Sequence, residues 1–286
     1  MKIRAAVAAV VSTLVLTTSW LLGAGPAGAA GYVRGPDPTA ATFQQGPFAV
    51  ASFTVANAAT PGFGAATIYY PTPLDGTYGG VAIVPGFTGT QAAVAWLGPR
   101  LASNGFVVIT LDTNSPFDQP AARGTELLAA LDYLTGTSAV HANVDASRLA
   151  VMGHSMGGGG ALEAAKTRPS LKATVELSPW NTDRTWPEIV SPSLVVGAEK
   201  DTTAPVATYA IPMYTGMTSA PEKAYLELNE GTHSTVTAPN TAVATATVSW
   251  VKRFLDGDTR YSAFLCPGPT ASQTGAVSQY LNTCPI

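Results

Sequence analysis

A serine sits at the centre of the pentapeptide Gly153-His154-Ser155-Met156-Gly157, where the apolar run Leu149-Ala150-Val151-Met152 gives way to an Ala-rich helical segment. That context is the one a nucleophile elbow demands. The serine occupies a strained turn between strand and helix, and small residues two before and two after it let the two elements approach closely. Elsewhere the same five residues would be an ordinary glycine-rich turn. Preceded by a strand and followed by a helix, they read as a nucleophile.

The rest of the chain supplies the setting. Short β-rich runs recur at 48–55, 66–70, 80–84, 106–111, 148–152, 173–177, 193–197 and 223–228. The later ones are near-continuous apolar runs, as expected for strands buried on both faces of a parallel sheet. Helical patterns fall at 92–103, 121–134, 157–167, 206–214 and 241–255. In the last of these, Val243, Val248, Val251 and Phe254 mark the apolar side, with Lys252, Arg253 and Asp256 on the other. The alternation implies one α/β domain with helices on both faces of a mostly parallel sheet. In such sheets the active residues gather at the carboxyl ends of strands.

A serine hydroxyl is a poor nucleophile at neutral pH and needs a base. The chain has three histidines: His141 precedes the elbow, His154 adjoins the serine, and His233 follows a strand in Asn229-Glu230-Gly231-Thr232-His233. The side chain of His154 is expected to point away from that of Ser155. Sites built on this elbow run Ser, acid, His along the chain, which selects His233. The acid should lie between them, just past a strand. Asp201 fits best, following the run 193–197, with Glu199 and Glu176 as competitors. An oxyanion needs two donors. The Met156 N–H supplies one, and the loop Val84-Pro85-Gly86-Phe87-Thr88-Gly89 offers the Phe87 N–H as the second. Phe87 has core packing as its alternative reading. Trp180, in Ser178-Pro179-Trp180-Asn181, is either a wall of an apolar cleft or a surface-loop aromatic.

Composition narrows the surroundings. Of 286 residues, 46% are hydrophobic and 12% charged, which excludes a disordered chain. Lys2 and Arg4, the apolar stretch 5–22 and the small residues Ala27-Gly28-Ala29 form an export signal over residues 1–30, leaving 31–286 as the catalytic domain. A membrane anchor is the competing reading. Ser and Thr dilute the apolar run, and no basic cluster follows it. Formal net charge is −3 with 15 basic and 18 acidic residues; without Lys2 and Arg4 it becomes −5, from 13 against 18. No basic block survives to follow a nucleic acid. The two cysteines, Cys266 and Cys284, favour a disulfide in an exported chain. No further Cys or His stands nearby to make them metal ligands.

Together these residues resemble the actinobacterial cutinases and polyester hydrolases, the family that includes poly(ethylene terephthalate) hydrolases. The segments that carry the likeness are Val81–Thr88, Gly98–Ser103, Phe106–Asn114, Asp118-Gln119-Pro120, the elbow with its run 157–160, Ser178-Pro179-Trp180 and the terminal cysteines. The likeness spans essentially all of 31–286. It implies an α/β-hydrolase fold without a lid, which cleaves esters in cutin, synthetic polyesters and short acyl esters. It implies Ser155, Asp201 and His233 as the triad, Phe87 and Met156 as the oxyanion amides, and Trp180 as a cleft wall. A single C-terminal disulfide and His154 before the nucleophile resemble the cutinase-type branch.

This chain departs from the family in several places. Ser234 follows His233 where that branch often has an aromatic, and the loop 234–240 is about two residues longer. Tyr209 and Met213 stand where His and Phe are common near Trp180. Some relatives bind calcium through acids at positions that match Asn229, Ile211 and 275–279 here. Calcium prefers several carboxylate oxygens, so neither a metal nor a cofactor is expected.

The reading is a secreted, extracellular, monomeric serine ester hydrolase acting on polymeric or small esters, with no nucleic-acid partner and no membrane anchor. The alternatives are a lipase or carboxylesterase acting on longer acyl chains, and a binding module that has lost activity.

Overall fold

The computed structural model describes Met1, residues 32–269 and residues 275–286. Apart from Met1, the expected export segment lies outside the described residues. The fold below is that of the unit Gly31–Ile286. In chain order its strands are β1 (Ala49–Val55), β2 (Ala66–Thr72), β3 (Tyr78–Val84), β4 (Phe106–Leu111), β5 (Val144–His154), β6 (Ala173–Leu177), β7 (Ser193–Ala198), β8 (Lys223–Leu228) and β9 (Val277–Asn282). The helices are α1 (Leu97–Ser103), α2 (Pro120–Gly136), α3 (Met156–Thr167), α4 (Ala210–Gly216) and α5 (Thr241–Leu255).

The strands join in one sheet in the order β1-β2-β4-β3-β5-β6-β7-β8-β9. The six from β4 to β8 run parallel, and β1, β2 and β9 add antiparallel edges. This is the mostly parallel α/β-hydrolase sheet expected from the sequence. Every residue of β3, β4, β6 and β7 is buried, because helices cover both faces. Ala82, Val151 and Val195 meet Leu127 and Leu131 of α2, Leu162 of α3 and Met213 of α4 in one core. Their neighbours Ile83, Met152 and Val196 point the other way, into a second core with Leu97 and Leu101 of α1 and Val248 and Trp250 of α5. Each fully buried Leu- or Ile-sized side chain contributes about 1.5–3 kcal/mol.

Four local differences from the sequence reading have physical causes. The helix expected over 92–103 begins only at Leu97. Before it, the Asp112 carboxylate accepts the Gln91 N–H at 2.6 Å and fixes a 3-10 turn, Gln91–Ala93, beside the sheet. The helix expected at 206–214 spans Ala210–Gly216, with Pro212 in its first turn, where its missing N–H leaves nothing unpaired. Strand β9 escaped the reading because only Val277 of its six residues is buried. It is an edge strand read from its partner β8 rather than from its own pattern. On α5, Lys252 and Asp256 are buried as an ion pair instead of facing solvent, and Arg148 donates to the same carboxylate at 2.8 Å.

Toward the amino ends of the strands, this buried charge group holds the chain at Tyr32. Tyr32 N–H donates to the Asp256 carbonyl at 2.7 Å, and the Arg148 guanidinium stands 3.4 Å over the Tyr32 ring. Arg260 donates to Gly35 O at 3.2 Å and to Asp37 at 3.1 Å. Cys266 and Cys284 are joined in a disulfide that ties the end of β9 back to the chain beyond α5.

Candidate active site

Strands β3 and β5 are neighbours, with Val84 opposite Gly153. The loop that leaves β3 and the turn that leaves β5 therefore emerge side by side. Next along the sheet, the ends of β6, β7 and β8 present Trp180, Asp201 and His233 in turn. Five strand ends build one site because parallel pairing sets their carboxyl ends in a row.

The turn at Ser155 is tight for reasons that can be measured. Ser155 has φ 58° and ψ −122°, a backbone region that favours glycine. It is held there from β6: Ser155 N–H donates to Leu177 O at 2.9 Å, and Trp180 N–H donates to Ser155 O at 2.9 Å. A Cβ on Gly153 would stand 2.0 Å from the Gly157 carbonyl oxygen, and one on Gly157 would stand 2.5 Å from the carbonyl oxygens of both Val84 and Pro85. Either glycine replaced by alanine should destabilise the fold by more than about 3 kcal/mol. Gly136→Ala is the control, because nothing lies within 4 Å of the added carbon. Differential scanning calorimetry decides it: a Gly153→Ala melting temperature equal to that of Gly136→Ala would overturn the steric account.

Ser155 Oγ lies 2.9 Å from His233 Nε2, and His233 Nδ1 lies 2.7 Å from Asp201 Oδ2. Burial pushes the Asp201 carboxyl up, but His233 and the backbone N–H groups of Ala204 (2.7 Å) and Thr203 (2.9 Å) outweigh it and hold the pKa below its ordinary value. An ionised carboxylate only accepts, so His233 Nδ1 carries the proton and Nε2 is free to accept from the serine. The two competing acids sit elsewhere. Glu199 Oε2 accepts the Glu230 N–H at 2.9 Å. Glu176 is fully buried in β6 beside Gly153 and Val195, with no hydrogen-bond partner for either carboxyl oxygen among the described residues. Burial pushes its pKa up to about 8.

The elbow leaves two donors beside the serine. Met156 N–H is the first of α3 and has no acceptor within the helix, and the helix dipole adds positive potential at that point. Phe87 N–H has no partner among the described residues, and the loop that carries it touches Ser155: a Cβ on Gly86 would lie 3.3 Å from Ser155 Oγ. Phe87 is no core residue. The residue is 47% exposed, and its ring lies 5.7 Å from that of Phe117, itself 64% exposed. A depression of about 250 Å³ opens here, lined by Gly86, Phe87, Ala93, His154, Ser155, Thr203 and His233. A larger groove of about 390 Å³, near Gln44, Trp96 and Arg100, holds no nucleophile–base pair.

Two aromatic pairs flank the serine's neighbourhood. Phe87 with Phe117 is one, and Trp180 with Tyr209, ring centroids 6.0 Å apart, is the other. Met213, unlike Tyr209, is wholly buried. The side chain of His154 turns to His233: its ring lies 4.8 Å from that of His233, and its Nε2–H donates to His233 O at 3.1 Å. Burial, and then the neighbouring His233, push the His154 pKa down to about 4, so it is neutral at pH 7. Sequence reasoning missed Phe117, although it stands in the loop after β4, at a strand's carboxyl end.

Among the described residues no group of three His, Cys, Asp or Glu is placed to hold a metal ion, and no helix is long and apolar enough to cross a membrane. Comparison with known proteins gives consistent matches. The PETase family model, described as PET hydrolase-like, matches residues 27–285. A "Bis(hydroxyethyl) terephthalate hydrolase" of Streptomyces coelicolor is 54% identical over 99% of this chain and 92% of its own length. "Cutinase cut1" of Thermobifida fusca is 52% identical over 92% of this chain and 84% of its own. "Cutinase 2" of Thermobifida cellulosilytica is 52% identical over 89% of this chain and 98% of its own.

Proposed function

The chain belongs to the PET hydrolase-like family of α/β-hydrolases, and on that premise we propose an exported, monomeric serine hydrolase that cleaves polyester chains and short acyl esters. Its substrates are cutin-like polymers and aromatic polyesters of the terephthalate kind, in keeping with the cutinase and bis(hydroxyethyl) terephthalate hydrolase names of its relatives and the PET hydrolase-like description of its family. The observation that carries the reading is the hydrogen-bonded row Ser155–His233–Asp201, at 2.9 and 2.7 Å, at the edge of an exposed aromatic surface.

In the first half-reaction Ser155 Oγ attacks the ester carbonyl carbon while His233 Nε2 takes the hydroxyl proton. Asp201 holds Nδ1–H and stabilises the imidazolium. The carbonyl oxygen becomes an oxyanion and receives the Phe87 and Met156 N–H groups. Collapse breaks the bond to the alcohol oxygen, which leaves with the proton from His233. Water then enters, gives a proton to His233 and attacks the acyl-serine. A second collapse releases the acid and returns the proton to Ser155. Phe87, Phe117, Trp180 and Tyr209 supply ring faces for the aryl or aliphatic parts of the chain beside the ester.

Initial rates on p-nitrophenyl esters of two to sixteen carbons, followed by soluble products from poly(ethylene terephthalate) and cutin films, test this directly. The expected result is fastest turnover of short chains together with acid release from both films. A maximum at long chains with inert films would make the protein a lipase, and no turnover at any length would make it a binding module. Recovery of the chain from the culture medium, lacking residues 1–30 and running as a monomer in light scattering, is the matching expectation for export.

A further inference from the structure

Arg123, in the first turn of α2, is fully buried, and among the described residues no carboxylate forms an ion pair with it. Burial pushes its pKa down, and Glu126 and Asp118 counter this only through space. Its donors go to three main-chain carbonyls instead. Nη1 donates to Pro85 O at 2.9 Å, Nη2 to Pro116 O at 3.1 Å and Nε to Asp118 O at 2.8 Å.

Two of these carbonyls control the loop that carries Phe87. Pro85 begins it. Pro116 O also accepts the Thr88 N–H at 2.8 Å, with Thr88 held at φ 57°. Arg123 thus grips the loop directly at residue 85 and, through Pro116, at residue 88. The residues left between these two anchors are Gly86, which abuts Ser155, and Phe87, whose N–H has no partner among the described residues. The other side of Arg123 is equally fixed: a Cβ on Gly160 of α3 would lie 2.8 Å from the Arg123 Cβ. The Arg123 side chain therefore runs from α3, against which its Cβ packs, to the loop, whose carbonyls its guanidinium holds. A buried cation is expensive to desolvate, and charge-assisted bonds to carbonyls offset that only when their geometry is kept.

We propose that Arg123 is a positioning residue for the oxyanion site: it fixes the 85–88 turn so that the Phe87 N–H meets the developing oxyanion. The inference rests on the oxyanion assignment made above. Removing a direct oxyanion donor lowers kcat by about 10²- to 10³-fold, so misaiming one from behind should lower it by roughly 10- to 100-fold.

The test uses p-nitrophenyl acetate and its thiono analogue, in which sulfur replaces the carbonyl oxygen. Sulfur accepts hydrogen bonds poorly and gains little from the site. Wild type should strongly prefer the oxygen ester. Arg123→Met should lose kcat on the oxygen ester with KM within about twofold, lose far less on the thiono ester, and keep the pH profile of the triad. Arg123→Lys, which retains the charge and can reach at least one carbonyl, should recover part of the loss and serves if the Met variant fails to fold. Parallel losses on both esters in either folded variant, or an unchanged preference, would overturn the role of Arg123 alone. A wild type with no preference for the oxygen ester would overturn the oxyanion assignment and this proposal with it.

Discussion

Ser155→Ala should lower kcat on p-nitrophenyl acetate by about 10⁴- to 10⁶-fold, and His233→Ala should cost nearly as much. The double variant should be no worse than either. The reason lies in the 2.9 Å contact between Ser155 Oγ and His233 Nε2: the base acts only on that proton, and the hydroxyl is activated only by that base. Removing one partner leaves the other without a task. Asp201→Asn keeps the shape but can offer its amide N–H to Nδ1, which favours the wrong tautomer and should cost about 10⁴-fold. Residual hydrolysis by Ser155→Ala should remain above the uncatalysed rate, because the two backbone donors are untouched. Ser155→Ala within tenfold of wild type would mean that another group is the nucleophile, and additive losses in the double variant would mean that the two act separately.

The second large effect is on stability and depends on pH. Glu176 is fully buried, its carboxyl has no hydrogen-bond partner among the described residues, and its pKa is raised from an ordinary 4.5 to about 8. A carboxyl whose folded pKa is raised binds its proton more tightly in the native state, so its ionisation favours unfolding. The penalty is absent below about pH 4.5, grows through neutral pH and levels off above about pH 8. At pH 7 it is about 3 kcal/mol. Glu176→Leu removes it, and for a domain of this size the melting temperature should rise by roughly 5–10 °C at pH 7–8. The gain over wild type should shrink toward pH 5. Thermal unfolding of both proteins across pH 5–8 measures it. A difference that does not change with pH would show that Glu176 does not titrate in this window.

The proposed nucleophile and base could be read from the sequence because chemistry left few choices. Three histidines and a fixed order along the chain single out His233, and the elbow announces itself by its neighbours. The acid was harder. Asp201, Glu199 and Glu176 all lie near strand ends, and only distance in space separates a carboxylate 2.7 Å from an imidazole from one capping a neighbouring loop. Fold class followed from alternating periods, but β9, an edge strand with one buried residue, carried too little pattern to be seen. Least visible were the buried polar groups. Periodicity marks a face, and it assigned Lys252 to the wet one, whereas the structure pairs it with Asp256 inside. Arg123 and Glu176 hid for the same reason: what a buried charge bonds to is decided by segments far away in sequence.

The charge group around Arg148 and Asp256 decides how the molecule can be mounted on a surface. It fastens Tyr32 beside Arg148 in the amino-terminal half of β5, and Ser155 stands just past the other end of that strand, roughly seven residues and about 23 Å away. A protein coupled to a bead just ahead of Tyr32 would present its reactive mouth outward, toward a solid film, without any engineered orientation. The same coupling made through a side chain near Phe117 or Tyr209 would press that mouth against the support.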